Sequence, residues 1–184
     1  METGSSFLSE AEVVDIGLAS VGRSARISRH ARFYGASRIR VGEDVRIDDF
    51  AVLSAGHAGI DLEGHNHVAV GALLFGDITL RAWSTVSSRA AVYSMSDDFG
   101  VDTHTYPHVE EGRALVDAPV LIGSHVVIGT GSTILPGVTI VDGVSVGAMS
   151  LVNRPIVDAG VYAGIPARFI NARNPLDERP AEST

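Results

Sequence analysis

The sequence predicts an all-β fold, a parallel β-helix, from three observations. Aliphatic residues recur every six positions near the C-terminus, at Ile122, Ile128, Ile134, Ile140, Val146 and Val152. Four positions after each of the first five stands a small or branched residue, at Val126, Ser132, Val138, Val144 and Ser150. Aromatic residues make up only 6% of the chain, which suits a narrow interior. An α-helix repeats its apolar face about every 3.6 residues and a strand every second residue, so coils of six-residue units explain the spacing better.

The N-terminal segment, residues 1–20, is predicted to contain one short helix. Ser9 and Glu12 have the spacing of a capping box, in which each side chain satisfies a backbone N–H of the first turn. Apolar residues follow from Val13, and Gly17 is a natural stop, so the helix is expected to end there.

The six-residue spacing then runs through residues 21–170, the predicted β-helix domain, with a break near Ser37. Before the C-terminal run it is carried by Val21, Ile27, Phe33, Val41, Ile47, Leu53, Leu62, Val68, Leu74, Leu80, Val86 and Val92. Three units that close one triangular coil would stack residues 18 positions apart. The pairs predicted in this way are Leu62 with Leu80, Val68 with Val86, Leu74 with Val92, Ile122 with Ile140 and Ile128 with Val146.

One long segment, residues 94–118, ignores the spacing. It is polar, contains Pro107 and Gly100, and carries His104 and His108. A long loop inside a compact domain is usually functional, so we expect this segment to protrude from the β-helix as a working loop. Residues 171–184 form a polar C-terminal tail.

Composition excludes several functions. The formal net charge of −8 is unsuited to a nucleic-acid-binding protein, which needs cations to displace counterions from phosphates. The chain has no cysteine, and all 14 of its basic residues are arginine, so cysteine and lysine nucleophiles are ruled out. The arginine-rich stretch 23–40 is interpreted as solvated surface, because successive units turn onto different faces. No stretch approaches the roughly 20 apolar residues of a membrane span and the N-terminus lacks a signal-peptide core, so a cytoplasmic protein is expected.

The strings LIGSHVVIGTGSTILPGVTIVDGVSVGAMSLV (121–152) and YAGIPARFI (162–170) closely resemble the hexapeptide-repeat acyltransferases. The resemblance is nearest to the branch that acetylates galactosides, maltose and polysaccharide sugars. It implies a left-handed parallel β-helix that takes an acyl group from acetyl-CoA or another short acyl-CoA and transfers it to a sugar in a ternary complex. It also implies a homotrimer, with the active site in the cleft between two neighbouring subunits and a loop from one subunit closing it.

The resemblance assigns the acyl donor to the C-terminal coils. The backbone N–H of Thr130, directly after Gly129, would hold the thioester carbonyl, and Ala148 would lie beside the pantetheine arm. Asn153 and Arg154 match a polar and basic pair near the cofactor, and Arg168 lies in the GIPAR turn. Guanidinium groups suit the pyrophosphate of coenzyme A.

The general base is where this chain departs from the branch. The strand before the family's loop runs Tyr-Thr-Ala-Thr-His, and the histidine deprotonates the acceptor hydroxyl, whereas here Asp97 stands in its place. A carboxylate is a weak base towards a sugar hydroxyl. His67, His104 and His108 are the candidates for a replacement imidazole, and Asp97, His67 and His104 are the predicted catalytic residues. An amine that binds uncharged needs little base assistance, so O-acylation and N-acylation both stay open.

Two other classes of function remain. Loss of the histidine would also fit a catalytically silent β-helix that serves as a scaffold. His65 and His67, together with His104 and His108, could indicate a zinc enzyme of the γ-carbonic anhydrase type. Their spacing does not match that family, so no metal is expected.

Overall fold

Short parallel strands make up nearly all of the regular structure. The computed structural model describes residues 6–98, 100 and 114–173. Helix α1 spans Glu10–Asp15. In chain order the strands are β1 Ser20–Val21, β2 Arg26–Ile27, β3 Arg32–Tyr34, β4 Ile39–Glu43, β5 Arg46–Ile47, β6 Val52–Gly64, β7 His67–Val68, β8 Leu73–Leu80, β9 Thr85–Val86, β10 Ala91–Tyr93, β11 Met95–Asp97, β12 Leu115–Asp117, β13 Val120–Ile122, β14 Val127–Ile128, β15 Thr133–Ile134, β16 Thr139–Ile140, β17 Val144–Val146, β18 Leu151–Val152, β19 Gly160–Gly164 and β20 Ala167–Asn171.

The strands form the three faces of a parallel β-helix of about six turns. Face A contains β1, β4, the C-terminal parts of β6 and β8, then β13 and β16. Face B contains β2, β5, β7, β9, β14, β17 and β19. Face C contains β3, the N-terminal parts of β6 and β8, then β10, β15 and β18. The three corners are named AB, BC and CA after the faces that they join.

The register confirms the predicted stacking of residues 18 positions apart. Leu62 pairs with Leu80, Val68 with Val86, Leu74 with Val92, Ile122 with Ile140 and Ile128 with Val146. The first coils are longer, because Ile27 pairs with Ile47 and Ile47 with Val68. The extra residues include a 3-10 turn at Ala36–Arg38, which accounts for the break near Ser37.

Stacked aliphatic columns form the core. On face B the column runs through Ile27, Ile47, Val68, Val86, Ile128 and Val146, each no more than 2% exposed. Burying one such side chain contributes about 1.5–3 kcal/mol. Because each column repeats the same residue type at the same inward position, the packing propagates from coil to coil.

The N-terminal helix caps one end of this core. Ser9 and Glu12 form the predicted capping box, and Gly17, with φ of +74°, follows the end of the helix. In the described part of the chain, no helix is long and apolar enough to cross a membrane.

The long insertion leaves the β-helix at corner CA. Its two ends pair as an antiparallel ladder between β11 and β12, with Asp97 opposite Leu115. Its length explains why Val92 pairs with Ile134, 42 positions later, instead of 18. His104 and His108 lie outside the described residues.

A hydrogen-bond network anchors the base of the insertion. The Ser94 hydroxyl accepts from the Asp77 N–H at 2.6 Å, and the Asp77 carboxylate accepts from the N–H groups of Ala58 and Gly59 at 2.9 Å. Gly76 has φ of +104°, and a Cβ there would collide with Ser94 Oγ. The insertion therefore begins directly against Gly76, where a larger residue would collide with Ser94.

Candidate active site

A cavity of about 460 Å³ lies on face C at the base of the insertion. It is lined by Phe75, Tyr93, Met95, Ser96, Asp97, Leu115, Thr133 and Leu135. Most of this lining is apolar, and among these residues Asp97 is the only one with a charge. A mainly apolar cavity with one charged group and a few polar groups is typical of a small-molecule site.

The register of face C explains why these side chains meet. Leu74, Val92 and Ile134 point into the core, so the next residue of each strand, Phe75, Tyr93 or Leu135, points outward. The Phe75 and Tyr93 rings are 6.3 Å apart and tilted by 52°. The ladder of β11 and β12 then adds Asp97 and Leu115 as the remaining wall. Sequence reasoning found Asp97 but missed this apolar wall, although the outward positions could have been read from the inward ones.

The residues assigned to the thioester end stack at corner BC. Thr130 and Ala148 occupy this corner in successive coils, and the Met149 N–H donates to the Thr130 carbonyl at 2.9 Å. Within the described residues neither the Thr130 N–H nor the Ala148 N–H has a hydrogen-bond partner. Gly129 has no room for a Cβ, which would collide with the backbone of Gly147 and Ala148. The corner thus offers a line of outward N–H donors to a carbonyl oxygen.

The polar residues predicted to bind the cofactor gather in a second cavity of about 310 Å³ at the C-terminal end. Asn153, Arg154 and Arg168 all line it, together with the Tyr162 and Phe169 rings. Both arginines are exposed, and within the described ranges the Arg168 guanidinium donates only to the neighbouring Ala167 carbonyl, at 3.0 Å. Two available guanidinium groups beside one cavity can bind a phosphate group.

His67 lies on face B, paired with a buried carboxylate. Its Nε2 is 2.8 Å from Asp48 Oδ2, and Arg46 Nε donates to Asp48 Oδ1 at 2.7 Å. Burial raises the pKa of the Asp48 carboxyl, but the hydrogen bonds from His67 and Arg46 outweigh it, so that pKa lies below its ordinary value. An ionised Asp48 requires His67 Nε2 to carry the proton, which leaves Nδ1 of a neutral ring as an acceptor.

The structure does not bring all predicted catalytic residues together within one subunit. Asp97 lines the cavity on face C, whereas His67 projects from face B. His104 lies outside the described residues.

The other histidines serve different contacts. His65 stacks on Trp83 at corner AB, which separates it from His67 although only one residue lies between them. In the described ranges no group of three histidine or acidic side chains is arranged to hold a metal ion.

Comparison with known proteins places this geometry in a family. No family model matches the chain. The dTDP-4-amino-4,6-dideoxy-D-glucose acyltransferase of Escherichia coli is 37% identical over 171 residues, which cover 91% of this chain and 89% of that enzyme.

Solved structures agree. AntD, an N-acyltransferase from Bacillus cereus, is 36% identical in a variant complexed with dTDP-4-amino-4,6-dideoxyglucose and coenzyme A, with a TM-score of 0.88 and 92% of both chains covered. Its complex with dTDP and 3-hydroxybutyryl-CoA has a TM-score of 0.86 at 36% identity, covering 92% of this chain and 90% of that one. The repeat strings, the free N–H groups at corner BC and these likenesses agree, and this chain belongs to the hexapeptide-repeat sugar acyltransferases, which use acyl-CoA as donor.

Proposed function

We propose that this protein transfers an acyl group from an acyl-CoA to the amino group of a dTDP-linked 4-amino-4,6-dideoxyhexose. The observation that carries the proposal is the cavity on face C, where Asp97 is the only charged residue in a mainly apolar lining. A 4-amino-4,6-dideoxy sugar offers a cationic ammonium group for the carboxylate and a methyl group for the apolar wall. The E. coli enzyme and AntD, which are named for this class of acceptor or bound to it, support the same choice.

The missing histidine also favours an amine over a hydroxyl. A sugar hydroxyl must lose its proton to a base as it attacks, whereas a neutral amine is already nucleophilic. The Asp97 carboxylate would attract the ammonium form and orient the amine after a proton has left. Structures have been solved of AntD variants in which a serine is replaced, and of others in which an aspartate is replaced. In the AntD sequence this aspartate lies ten positions after the serine. Ser87 and Asp97 have the same spacing here, which supports Asp97 as a site residue.

The donor is proposed to lie along corner BC towards the C-terminal end. The Thr130 N–H would donate a hydrogen bond to the developing oxyanion, and Gly129 and Ala148 would leave the corner open for the pantetheine arm. Asn153, Arg154 and Arg168 would hold the phosphate-bearing end. The amine nitrogen forms a bond to the thioester carbon, the tetrahedral oxyanion collapses with loss of the coenzyme A thiolate, and the nitrogen gives up its proton. One oxyanion donor is worth about 3 kcal/mol of transition-state stabilisation.

Assembly as a homotrimer is part of the proposal. The outward residues of face C include Val52, Leu73, Phe75, Tyr93 and Leu151, which would be an unusually apolar exterior for an isolated β-helix. Asp97 and His67 lie on different faces, so they can meet only if two subunits form the site between them. His67 and the loop residue His104 are proposed to assist proton removal in such a cleft. Because acyl-CoA is available there, we propose that the reaction takes place in the cytoplasm.

A thiol-release assay tests the proposal directly. Acetyl-CoA and 3-hydroxybutyryl-CoA are supplied with dTDP-4-amino-4,6-dideoxyglucose or with dTDP-6-deoxyglucose, which has a 4-hydroxyl instead of the amine. We expect acylation of the amine only, and comparison of the two donors shows the preferred chain length. Acylation of the hydroxyl sugar, or no thiol release with either acceptor, would contradict the proposal. Light scattering on the same sample tests the trimer.

A further inference from the structure

Corner BC presents an exposed aromatic ring at its N-terminal end. Phe50 is 64% exposed and has a left-handed φ of +61°. The His30 ring, one coil closer to the N-terminus, stacks against it with centroids 5.7 Å apart and planes inclined by 26°. The positive φ is shared by the residues that stand at this corner in the later coils, so it reflects the repeated backbone of the turn. The exposed ring is what sets Phe50 apart, because it offers a flat apolar surface on which a nucleic-acid base can stack.

Among the described residues, His30 is the only ring that stacks on Phe50, which leaves the opposite face of the Phe50 ring without an aromatic partner. The next coil places Gly71, with φ of +67°, at this corner. The coil after that places Arg89, whose Cγ lies 3.6 Å from the position that a Cβ on Gly71 would occupy. An exposed aromatic ring and an arginine therefore lie on either side of a glycine.

Arg89 is available to an anion. Its side chain is exposed, and it forms no ion pair with any residue of the described ranges. The neighbouring Ser88 N–H likewise has no hydrogen-bond partner among them, and the Ser88 hydroxyl lies at the same corner. A guanidinium beside an outward N–H and a hydroxyl is a set of donors that suits phosphate oxygens.

Corner AB carries a larger aromatic cluster but lacks these properties. Trp83 is stacked between His65 and His125, with ring centroids 4.0 Å and 6.3 Å away, so each face of its ring already has an aromatic neighbour. Asp44 and Glu43 lie 3.4 Å and 3.8 Å from the His65 ring nitrogens. Their charge would repel a diphosphate.

We propose that the N-terminal half of corner BC binds the nucleoside diphosphate of the acceptor, with the base stacked on Phe50 and the diphosphate held by Arg89 and the Ser88 N–H. This assignment rests on the function proposed above. Asp49, beside Phe50, accepts from the Ser28 hydroxyl.

The order of groups along the corner fits a nucleotide sugar. Arg89 lies two coils beyond Phe50, and the Thr130–Gly131 turn lies one coil beyond Arg89. At about 4.8 Å per coil, the distance along the corner from Phe50 to this turn is about 14 Å. Base, diphosphate and sugar would then lie in sequence, with the amino group ending near the oxyanion donor of Thr130. The donor approaches from the C-terminal end of the same corner, so the two substrates meet head to head. The cavity with Asp97 would be contributed by the neighbouring subunit.

Calorimetry with dTDP, which lacks the amino sugar, tests the assignment. Phe50→Ala and Arg89→Met should each weaken dTDP binding about tenfold or more, since stacking on one aromatic ring and one charged contact are each worth that much. Phe50→Tyr and Arg89→Lys should keep most of the affinity. Arg23→Met is the matched control, because this exposed arginine lies at corner AB and its loss should leave dTDP binding unchanged. Coenzyme A should bind equally well to all variants.

Three outcomes would overturn the assignment without touching the proposed function. The first is wild-type affinity for dTDP in both Phe50→Ala and Arg89→Met. The second is amine acylation by a wild-type protein that binds no dTDP. The third is a change in molar mass of Phe50→Ala by light scattering, which would show that Phe50 is a subunit contact. Failure of amine acylation in the thiol-release assay, with dTDP binding still dependent on Phe50 and Arg89, would instead contradict the proposed function alone.

Discussion

The rings of His65 and Trp83 stack face to face at successive turns of corner AB, with centroids 4.0 Å apart and planes within 9° of parallel. Both residues have positive φ angles, of +51° and +65°. The stack exists because the corner repeats its backbone conformation in every coil and so places outward side chains above one another.

This stack should contribute measurably to stability. In a double-mutant cycle with His65→Ala and Trp83→Ala, we expect a coupling free energy of about 0.5–1.5 kcal/mol, the usual range for stacked rings. Urea denaturation followed by circular dichroism provides the measurement. Phe50→Ala combined with His65→Ala is the control, because these residues lie at different corners and their effects should add. A coupling within about 0.3 kcal/mol of zero would show that the rings merely lie side by side.

Gly76→Ala should destabilise the protein by several kcal/mol, because its Cβ would collide with Ser94 and its φ of +104° is strained for alanine. Gly17→Ala is the matched control: its φ is +74°, but nothing lies within 4 Å of the added Cβ. That variant should lose only about 1–2 kcal/mol. Thermal unfolding of both proteins gives the comparison, and equal losses would refute the role of the close contact.

The stability contributed by Asp48 should depend on pH. Its pKa is lowered in the folded protein, so the unfolded chain binds more protons and stability rises with pH through this range. The contribution is complete above the ordinary carboxyl pKa and is lost as the pH falls through the folded value.

Asp48→Asn should therefore be less stable than the wild type near pH 6, and the difference should shrink below about pH 4. Denaturation at several pH values measures it. Asp158→Asn, which removes an exposed carboxylate, is the control for net charge. A difference that is constant with pH would contradict the ion-pair explanation.

Asp97→Asn should lower kcat/KM for the amino sugar by about 10- to 100-fold, because the amide keeps the shape of the side chain but loses the charge that attracts the ammonium. Asp117→Asn, an exposed position on the partner strand β12, should behave like the wild type. If the His67 side chain removes a proton in the trimer cleft, His67→Ala is expected to lower kcat by a larger factor than it changes KM. If Asp97→Asn and His67→Ala both keep full activity, the assigned site is wrong.

Thr130→Pro should lower kcat about 100- to 1,000-fold, because proline removes the N–H proposed to bind the oxyanion. Thr130→Ala keeps the N–H and should stay within a few-fold of wild type. Acetyl-CoA binding and the thermal midpoint of the proline variant show whether the corner is intact. Equal rates for the two variants would show that the Thr130 N–H does not stabilise the oxyanion.

The sequence by itself determined the repeating unit. Each six-residue step places one aliphatic side chain inward, and this local rule was enough to predict the pairs from Leu62–Leu80 to Ile128–Val146. The sequence was also enough to predict the capping box of Ser9 and Glu12, because both hydrogen bonds of that motif form within one helical turn.

Only the tertiary structure decided which distant residues share a site. Turn lengths of 20, 21 and 42 residues between stacked partners set the corner at which each loop leaves, as Ile27–Ile47, Ile47–Val68 and Val92–Ile134 show. This arrangement brought Tyr93 and Leu135 to the cavity of Asp97 and placed His67 on another face. The physical reason is that inward packing depends on neighbours along the chain, whereas the outer surface depends on how coils of unequal length are stacked.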